Sequence, residues 1–184
     1  VIHRYPVKSM LGETPSEVAV SERGIQGDRA WATRDEIRGG IRGAKKLPQL
    51  MLFSARSIEG NTSEITAPDG STCLTSSDEM NHWLSEKLDH SVTLWPLLPP
   101  DNLEHYRRGA PDSEDFEKEL REIFGRTPDE PLPDLSAFAE VMEFESPPGT
   151  YFDAFPIMLM TQQSLDTMSP VSYTHLTLPT TYGV

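Results

Sequence analysis

The sequence holds one cysteine, Cys73, and that scarcity removes several kinds of chemistry at once. A single thiol cannot form an intrachain disulfide, which fits a reducing compartment. It cannot build a zinc site either, and His3, His82, His90 and His105 show no paired ligand spacing. Cys73 falls beside an expected hairpin turn with no base near it, so it reads as structural rather than nucleophilic. Ser164 lacks a Gly-x-Ser-x-Gly setting and a triad partner. No catalytic residue and no metal ligand is assigned to this chain.

Long apolar runs are also missing. The longest apolar patch, Phe155 to Met160, falls far short of the roughly 18 residues a spanning helix needs. No secretory leader is visible. A cytoplasmic protein without membrane contact is the expectation, and the start at Val1 leaves the native N-terminus open. Positive charge is scarce: 16 Lys and Arg stand against 29 Asp and Glu, a net charge of −13. That balance argues against general binding to nucleic acid or to a membrane surface. Aromatic content is 8% and apolar content 36%, low but enough for a core.

The charge is unevenly spread. Residues 1–50 carry nine Lys/Arg against six Asp/Glu, a balance of +3. Residues 101–150 carry five against fourteen, a balance of −9. An anionic ligand is therefore favoured by the first third, and the acidic stretch reads as a solvated surface.

The pattern predicts an α+β chain that is mainly β. Short strands are expected over residues 1–7, broken at Pro6, and over 16–21, 30–33, 50–57, 64–67 and 72–75. Pro68-Asp69-Gly70-Ser71 is a hairpin turn. Close spacing of short strands favours a small barrel or sandwich. A helix follows, capped by Ser77 or Asp78, with Trp83, Leu84 and Leu88 on one face. A strand is expected at 92–97. A second helix starts at Asp112 or Ser113, places Phe116, Leu120, Ile123 and Phe124 at helical spacing, and stops at Gly125. Residues 126–150 hold five prolines and read as irregular, with a weak element at Ala137–Phe144. Asp153–Met160 is expected as a buried strand and Thr161–Met168 as a short helix. From Pro170 the chain turns Thr-rich and uncharged, like a translated adaptor, and 170–184 is read as a non-native tail.

Two segments carry most of the functional signal. In Tyr5-Pro6-Val7-Lys8-Ser9, the Lys ammonium and Ser hydroxyl can hold a phosphate at a strand end. A surface lysine whose stem covers a barrel edge has the same composition. In Gly27-Asp28-Arg29, Gly lets the backbone approach a ligand and Arg29 offers a planar fork for an oxyanion. Asp28 can orient that Arg or simply cap a turn. The Gly-rich basic run Arg38 to Lys46 lacks P-loop spacing. It suits either a flap over an anion or a solvated loop.

Taken in order, these segments resemble the MOSC family, the molybdenum cofactor sulfurase C-terminal domain proteins. Tyr5–Ser9, then Gly24-Ile25-Gln26-Gly27-Asp28-Arg29-Ala30-Trp31, then Lys46-Leu47-Pro48-Gln49-Leu50 resemble the N-terminal β-barrel domain. Phe152 through Leu165 looks like the opening of the MOSC domain proper. The resemblance covers residues 1–169. It implies an N-terminal small β-barrel over 1–100, an acidic Pro-rich helical connection over 101–150, and an incomplete second barrel beginning at 151–169. It implies a molybdenum cofactor in its molybdopterin form, an anionic pterin. Lys8, Ser9 and Arg29 match residues that contact the pterin or its phosphate, and Thr161 and Ser164 add polar contacts.

For the parent protein, the resemblance implies either an oxidoreductase reducing N-hydroxylated compounds with an iron-sulfur or flavin electron donor, or a cofactor sulfur-transfer protein. Pyridoxal phosphate binding is a further property at the family level. The family's molybdenum-ligating cysteine lies downstream of the Thr161–Leu165 region, where this chain has none, and Cys73 is no substitute by position. The expectation is therefore a truncated, inactive fragment with an exposed apolar surface around Phe155, Ile157 and Leu159. The alternative is a non-catalytic β-barrel interaction module that contacts a redox partner through residues 101–150.

Overall fold

The structure is a computed structural model, and it describes residues 1–111, 114–134, 143–153 and 155–168. In chain order the elements are β1 (Val20–Ser21), β2 (Gly24–Ile25), β3 (Trp31–Asp35), a 3-10 helix (Pro48–Leu52), β4 (Ser54–Ser57), β5 (Ser63–Thr66) and β6 (Thr72–Leu74). There follow α1 (Met80–Leu88), β7 (Val92–Pro96), α2 (Leu103–Tyr106), α3 (Phe116–Phe124) and α4 (Gln162–Met168). The mixed α and β content agrees with the sequence reading.

Strand pairing gives three small antiparallel sheets: β1 with β2, β3 with β7, and β4-β5-β6. Among the described residues they do not close into one barrel, and no second barrel is present. Instead the N-terminal segment laces the sheets together. Val7 bridges Trp31 of β3 and Leu11 bridges Ser54 of β4, both in parallel sense. The segment expected as a strand over 1–7 therefore pairs only at single points. Pro6 has no N–H to donate, and Ser9 turns the chain at φ 67°. The strand expected at 50–57 begins only at Ser54, because Pro48 sets the dihedral that opens the 3-10 helix.

Two apolar clusters lie on opposite faces of the β3–β7 pair. Trp31 packs against the first, which gathers Val7, Met10, Leu50, Phe53, Ile65, Leu84 and Leu94. Ala32, the next residue along β3, belongs to the second with Ile41, Tyr106 and Tyr151. Successive side chains of a strand point to opposite faces, so one five-residue strand serves both. α1 buries Met80, Leu84 and Leu88, four residues apart, against the first cluster. Each such side chain, fully buried, contributes about 1.5–3 kcal/mol. Ser85 Oγ accepts from Val92 N at 3.0 Å and donates to Val92 O at 2.9 Å, which fixes the end of α1 on β7.

α3 is capped by the Asp115 side chain, which accepts from Lys118 N, and stops at left-handed Gly125 as expected. The buried strand expected over Asp153–Met160 does not form among the described residues of that stretch. Phe155 and Leu159 are 83% and 90% exposed. Among the described residues no neighbouring strand takes their backbone hydrogen bonds, so the apolar pattern has nothing there to pair with. The exposed surface expected around Phe155, Ile157 and Leu159 is present. The helix expected at 161–168 forms as α4. Most of the weak element at Ala137–Phe144 and all of the 170–184 tail lie outside the described residues.

Candidate functional site

The two motif segments run side by side. Arg29 N donates to Tyr5 O at 2.7 Å, Trp31 N donates to Pro6 O at 3.1 Å, and Lys8 N donates to Trp31 O at 2.9 Å. Tyr5–Lys8 and Arg29–Trp31 thus form one short parallel ladder, and the Lys8 and Arg29 side chains leave it at its two ends. Both Ser9, at φ 67°, and Arg29, at φ 47°, sit in the left-handed region. For residues with a Cβ that conformation costs about 1–3 kcal/mol and persists only where surrounding bonds enforce it. Among the described residues the other non-glycine residue so placed, Asp89, ends α1.

Arg29 is held rather than mobile. Its guanidinium pairs with Asp28 and lies 4.5 Å over the Tyr5 ring centroid. Asp28 is itself buried and accepts from Tyr5 N at 2.6 Å. Burial pushes the Asp28 carboxyl above its ordinary pKa, against the opposing pull of Arg29 and of the Tyr5 amide. Asp28 therefore orients Arg29, one of the two roles its sequence position allowed.

Next to this pair is a cavity of about 300 Å³. Two of the segments that line it are Gly27, Asp28, Arg29 and Ala30, and Gly149, Thr150, Tyr151 and Phe152. Arg23 stands at its edge. The sequence reading did not single out Arg23. The signal was available in a cation placed directly before Gly24, inside the same glycine-punctuated run.

Lys8 reaches the same distant segment from the other side. Its ammonium donates to Tyr151 O at 2.8 Å, Asp153 Oδ1 at 2.9 Å and Ser146 Oγ at 3.4 Å. Its three N–H bonds are thus directed at the chain's own acceptors. Ser9 Oγ accepts from Ala44 N at 2.9 Å. Thr161 and Ser164 lie elsewhere: they bond each other at the start of α4, Oγ1 to Oγ 2.9 Å apart, and both are exposed. Neither lines the Arg29 cavity.

The basic run 38–46 is neither a flap nor a freely solvated loop. Arg38 Nη1 donates to Pro111 O at 3.1 Å, Arg42 Nη2 donates to Ala110 O at 2.8 Å, and Lys46 pairs with Glu119 of α3. Its cations dock the acidic connection onto the N-terminal half. Among the described residues no three His, Cys, Asp or Glu side chains gather as a metal site. No helix among them is long and apolar enough to cross a membrane.

The charge and donor set of this site suit an anion. Two guanidinium groups and one carboxylate line a cavity that could receive a phosphate, in a chain that is otherwise strongly acidic. Those residues fit the phosphate end of a molybdopterin. The thiolate that would hold the metal is not offered by Cys73, which lies on β6 with its Sγ turned to Leu74 O at 3.8 Å. Comparison with curated proteins finds no match. Residues 1–86 match the family model of the MOSC N-terminal beta barrel domain. β7 lies past that match, yet it pairs with β3 over five residues, so the folded unit extends at least to Pro96. The first 86 residues, nearly half of the chain, are thus similar to a MOSC N-terminal β-barrel domain.

Proposed function

We propose that this chain holds the phosphate-bearing end of a molybdenum cofactor in the cleft between Gly27–Ala30 and Gly149–Phe152. The observation that supports this reading is the ladder itself. It brings the two motif segments together and places Arg29, in a left-handed backbone, on the wall of the cavity. In this reading Arg29 grips the phosphate as a fork aligned by Asp28. Lys8 fixes the 146–153 segment that helps line the cavity, and Ser9 anchors the neighbouring loop through Ala44. Lys8 can itself turn to an oxyanion where a ligand displaces Asp153, whose side chain is 57% exposed. Thr161 and Ser164 would join only through a rearrangement of α4.

In the parent protein such a cofactor would supply either two-electron reduction of an N-hydroxylated compound or sulfur transfer, while this chain lacks the thiolate that would hold the metal. Electrons would come from an iron-sulfur or flavin donor. The residues here bind and orient.

The test is metal and pterin content of the purified chain. Arg29→Ala should lower molybdopterin occupancy by about tenfold or more, the worth of a charge-assisted hydrogen bond of roughly 1.5–3 kcal/mol. Unchanged pterin content in a folded Arg29→Ala protein, or wild-type protein that takes up no pterin when offered it, would refute the assignment.

A further inference from the structure

Arg23 occupies the tight turn between β1 and β2, with Ser21 paired to Gly24 across it. Its backbone is fixed: Arg23 N donates to Ser21 Oγ at 3.2 Å, and that hydroxyl donates to Gly24 O at 3.3 Å. Its guanidinium is not. Among the described residues every other arginine has a side-chain hydrogen bond or ion pair. In the N-terminal half these are Arg4 with Glu13, Arg29 with Asp28, Arg34 with Glu36, Arg38 with Pro111 O, Arg42 with Ala110 O and Arg56 with Glu64. Farther along, Arg107, Arg108, Arg121 and Arg126 each pair with a glutamate. Arg23 alone makes neither, yet it lines the same cavity as Arg29. Its charge also reaches across toward Tyr106, whose hydroxyl burial pushes upward and Arg23 partly restrains.

The charge count at this cavity is two guanidinium groups against one carboxylate, a balance of +1 in a chain of −13. Arg29 is immobilised by Asp28 and Tyr5. Arg23 sits on an exposed turn with its side chain uncommitted. A phosphate monoester, with up to two negative charges and three terminal oxygens, can engage two guanidinium forks at once and attracts them more strongly than a singly charged carboxylate.

We propose that Arg23 is the mobile arm of a two-arginine phosphate clamp of which Arg29 is the fixed arm. The clamp takes a phosphate monoester at the mouth of the cavity and selects for it over a carboxylate. This rests on the cleft reading above, since it names the residue that contacts the ligand's phosphate, but it can be tested apart from it.

Calorimetric titration of the whole chain with inorganic phosphate at low ionic strength reads the clamp directly. Arg23→Gln should weaken phosphate binding by about tenfold or more, and Arg23→Lys should recover only part of it, because a lysine cannot make the bidentate contact. Arg56→Gln, which removes a cation paired to Glu64, should leave binding unchanged. Acetate in place of phosphate should bind more weakly to wild type and lose less affinity than phosphate does on Arg23→Gln. Equal phosphate affinity in wild type and folded Arg23→Gln overturns the clamp, as does wild type that binds no phosphate. Pterin content of wild type separates the two readings. Phosphate binding that depends on Arg23 in a protein that takes up no pterin sinks the cofactor reading and leaves the clamp. Pterin retained with phosphate affinity indifferent to Arg23 does the reverse.

Discussion

Lys8 Nζ lies 2.9 Å from Asp153 Oδ1, although 145 residues separate them in the chain. The pair is unequal: the Lys8 side chain is 6% exposed and the Asp153 side chain 57%. A buried ammonium needs its acceptors, while a largely solvated carboxylate does not need the ammonium. Lys8→Ala should therefore destabilise the fold by about 1.5–3 kcal/mol, because Tyr151 O and Ser146 Oγ lose their donor inside the protein. Asp153→Asn should cost less than about 1 kcal/mol, as exposed ion pairs do. Urea denaturation of both variants checks this. An equal loss for the two would show that the contact with Asp153, rather than the buried backbone contact, anchors the segment.

Much of that arrangement could be read from the sequence, but only in pieces. Tyr5–Ser9 and Gly27–Arg29 were recognisable as donor-rich segments because Lys, Arg, Gly and Ser keep their chemistry in any context. Their mutual hydrogen bonding was not legible, since it joins residues more than twenty apart without a regular strand in the first of them. α1 and the hairpin at Pro68–Ser71 were visible through local periodicity and turn chemistry. The second apolar cluster was hidden, because Tyr106 and Tyr151 come from proline-rich stretches with no period. Asp153–Met160 misled for the opposite reason: an apolar run predicts burial only where another surface exists to cover it. Lys8 read as a phosphate holder or a surface lysine and the run 38–46 as a flap or a solvated loop, whereas in the structure both also bond the chain's own distant segments. Charge complementarity between the basic first third and the acidic 101–150 stretch was the available clue.

His105 gives the fold a defined sensitivity to acid. The ring is buried, with Nε2 2.6 Å from Tyr151 Oη, and that hydroxyl donates to Pro96 O at 2.8 Å. Tyr151 has one hydroxyl hydrogen and Pro96 O takes it, so Nε2 carries the proton that His105 donates. Burial pushes the His105 pKa below its ordinary 6.5, and the nearby charge of Arg34 pushes the same way. The sign follows: the unfolded chain takes up a proton first as pH falls. His105 thus contributes fully above about pH 6.5 and loses that contribution as pH drops below it, until the folded pKa is passed. Denaturation midpoints measured from pH 7.5 to pH 5 should fall more steeply in wild type than in His105→Gln. Parallel curves would show that the imidazole does not titrate differently on folding.

Thr33 has a side-chain hydroxyl with nowhere to go. The residue is fully buried in the middle of β3, and Oγ1 has no hydrogen-bond partner among the described residues. An unsatisfied hydroxyl in an apolar setting costs about 1–3 kcal/mol. Valine keeps nearly the same shape, favours a strand and has no polar atom to satisfy. Thr33→Val should raise stability by roughly 1 kcal/mol, seen as a higher melting temperature. A loss of about 1 kcal/mol or more would mean that the hydroxyl finds a partner, such as an ordered water, and that the valine removes it.

Gly109 marks the closest approach between the basic loop and the connection it docks. A Cβ built on Gly109 would lie 1.8 Å from Gly39 O and 2.5 Å from Gly39 C, so the two backbones would have to part. Parting them breaks the bond from Ala110 N to Arg38 O at 2.9 Å, and it strains the contact of Arg42 Nη2 with Ala110 O. Gly109→Ala should cost about 1–3 kcal/mol, the range for forced overpacking, and should make residues 38–46 more open to limited proteolysis. Gly39→Ala is the informative contrast. It has open space for a Cβ, but its φ of 78° disfavours any side chain, so its cost should be near 1 kcal/mol and should leave the loop docked. If both variants lose the same stability and are cleaved at the same rate, backbone strain in the glycine run governs this region, and the close approach at Gly109 does not.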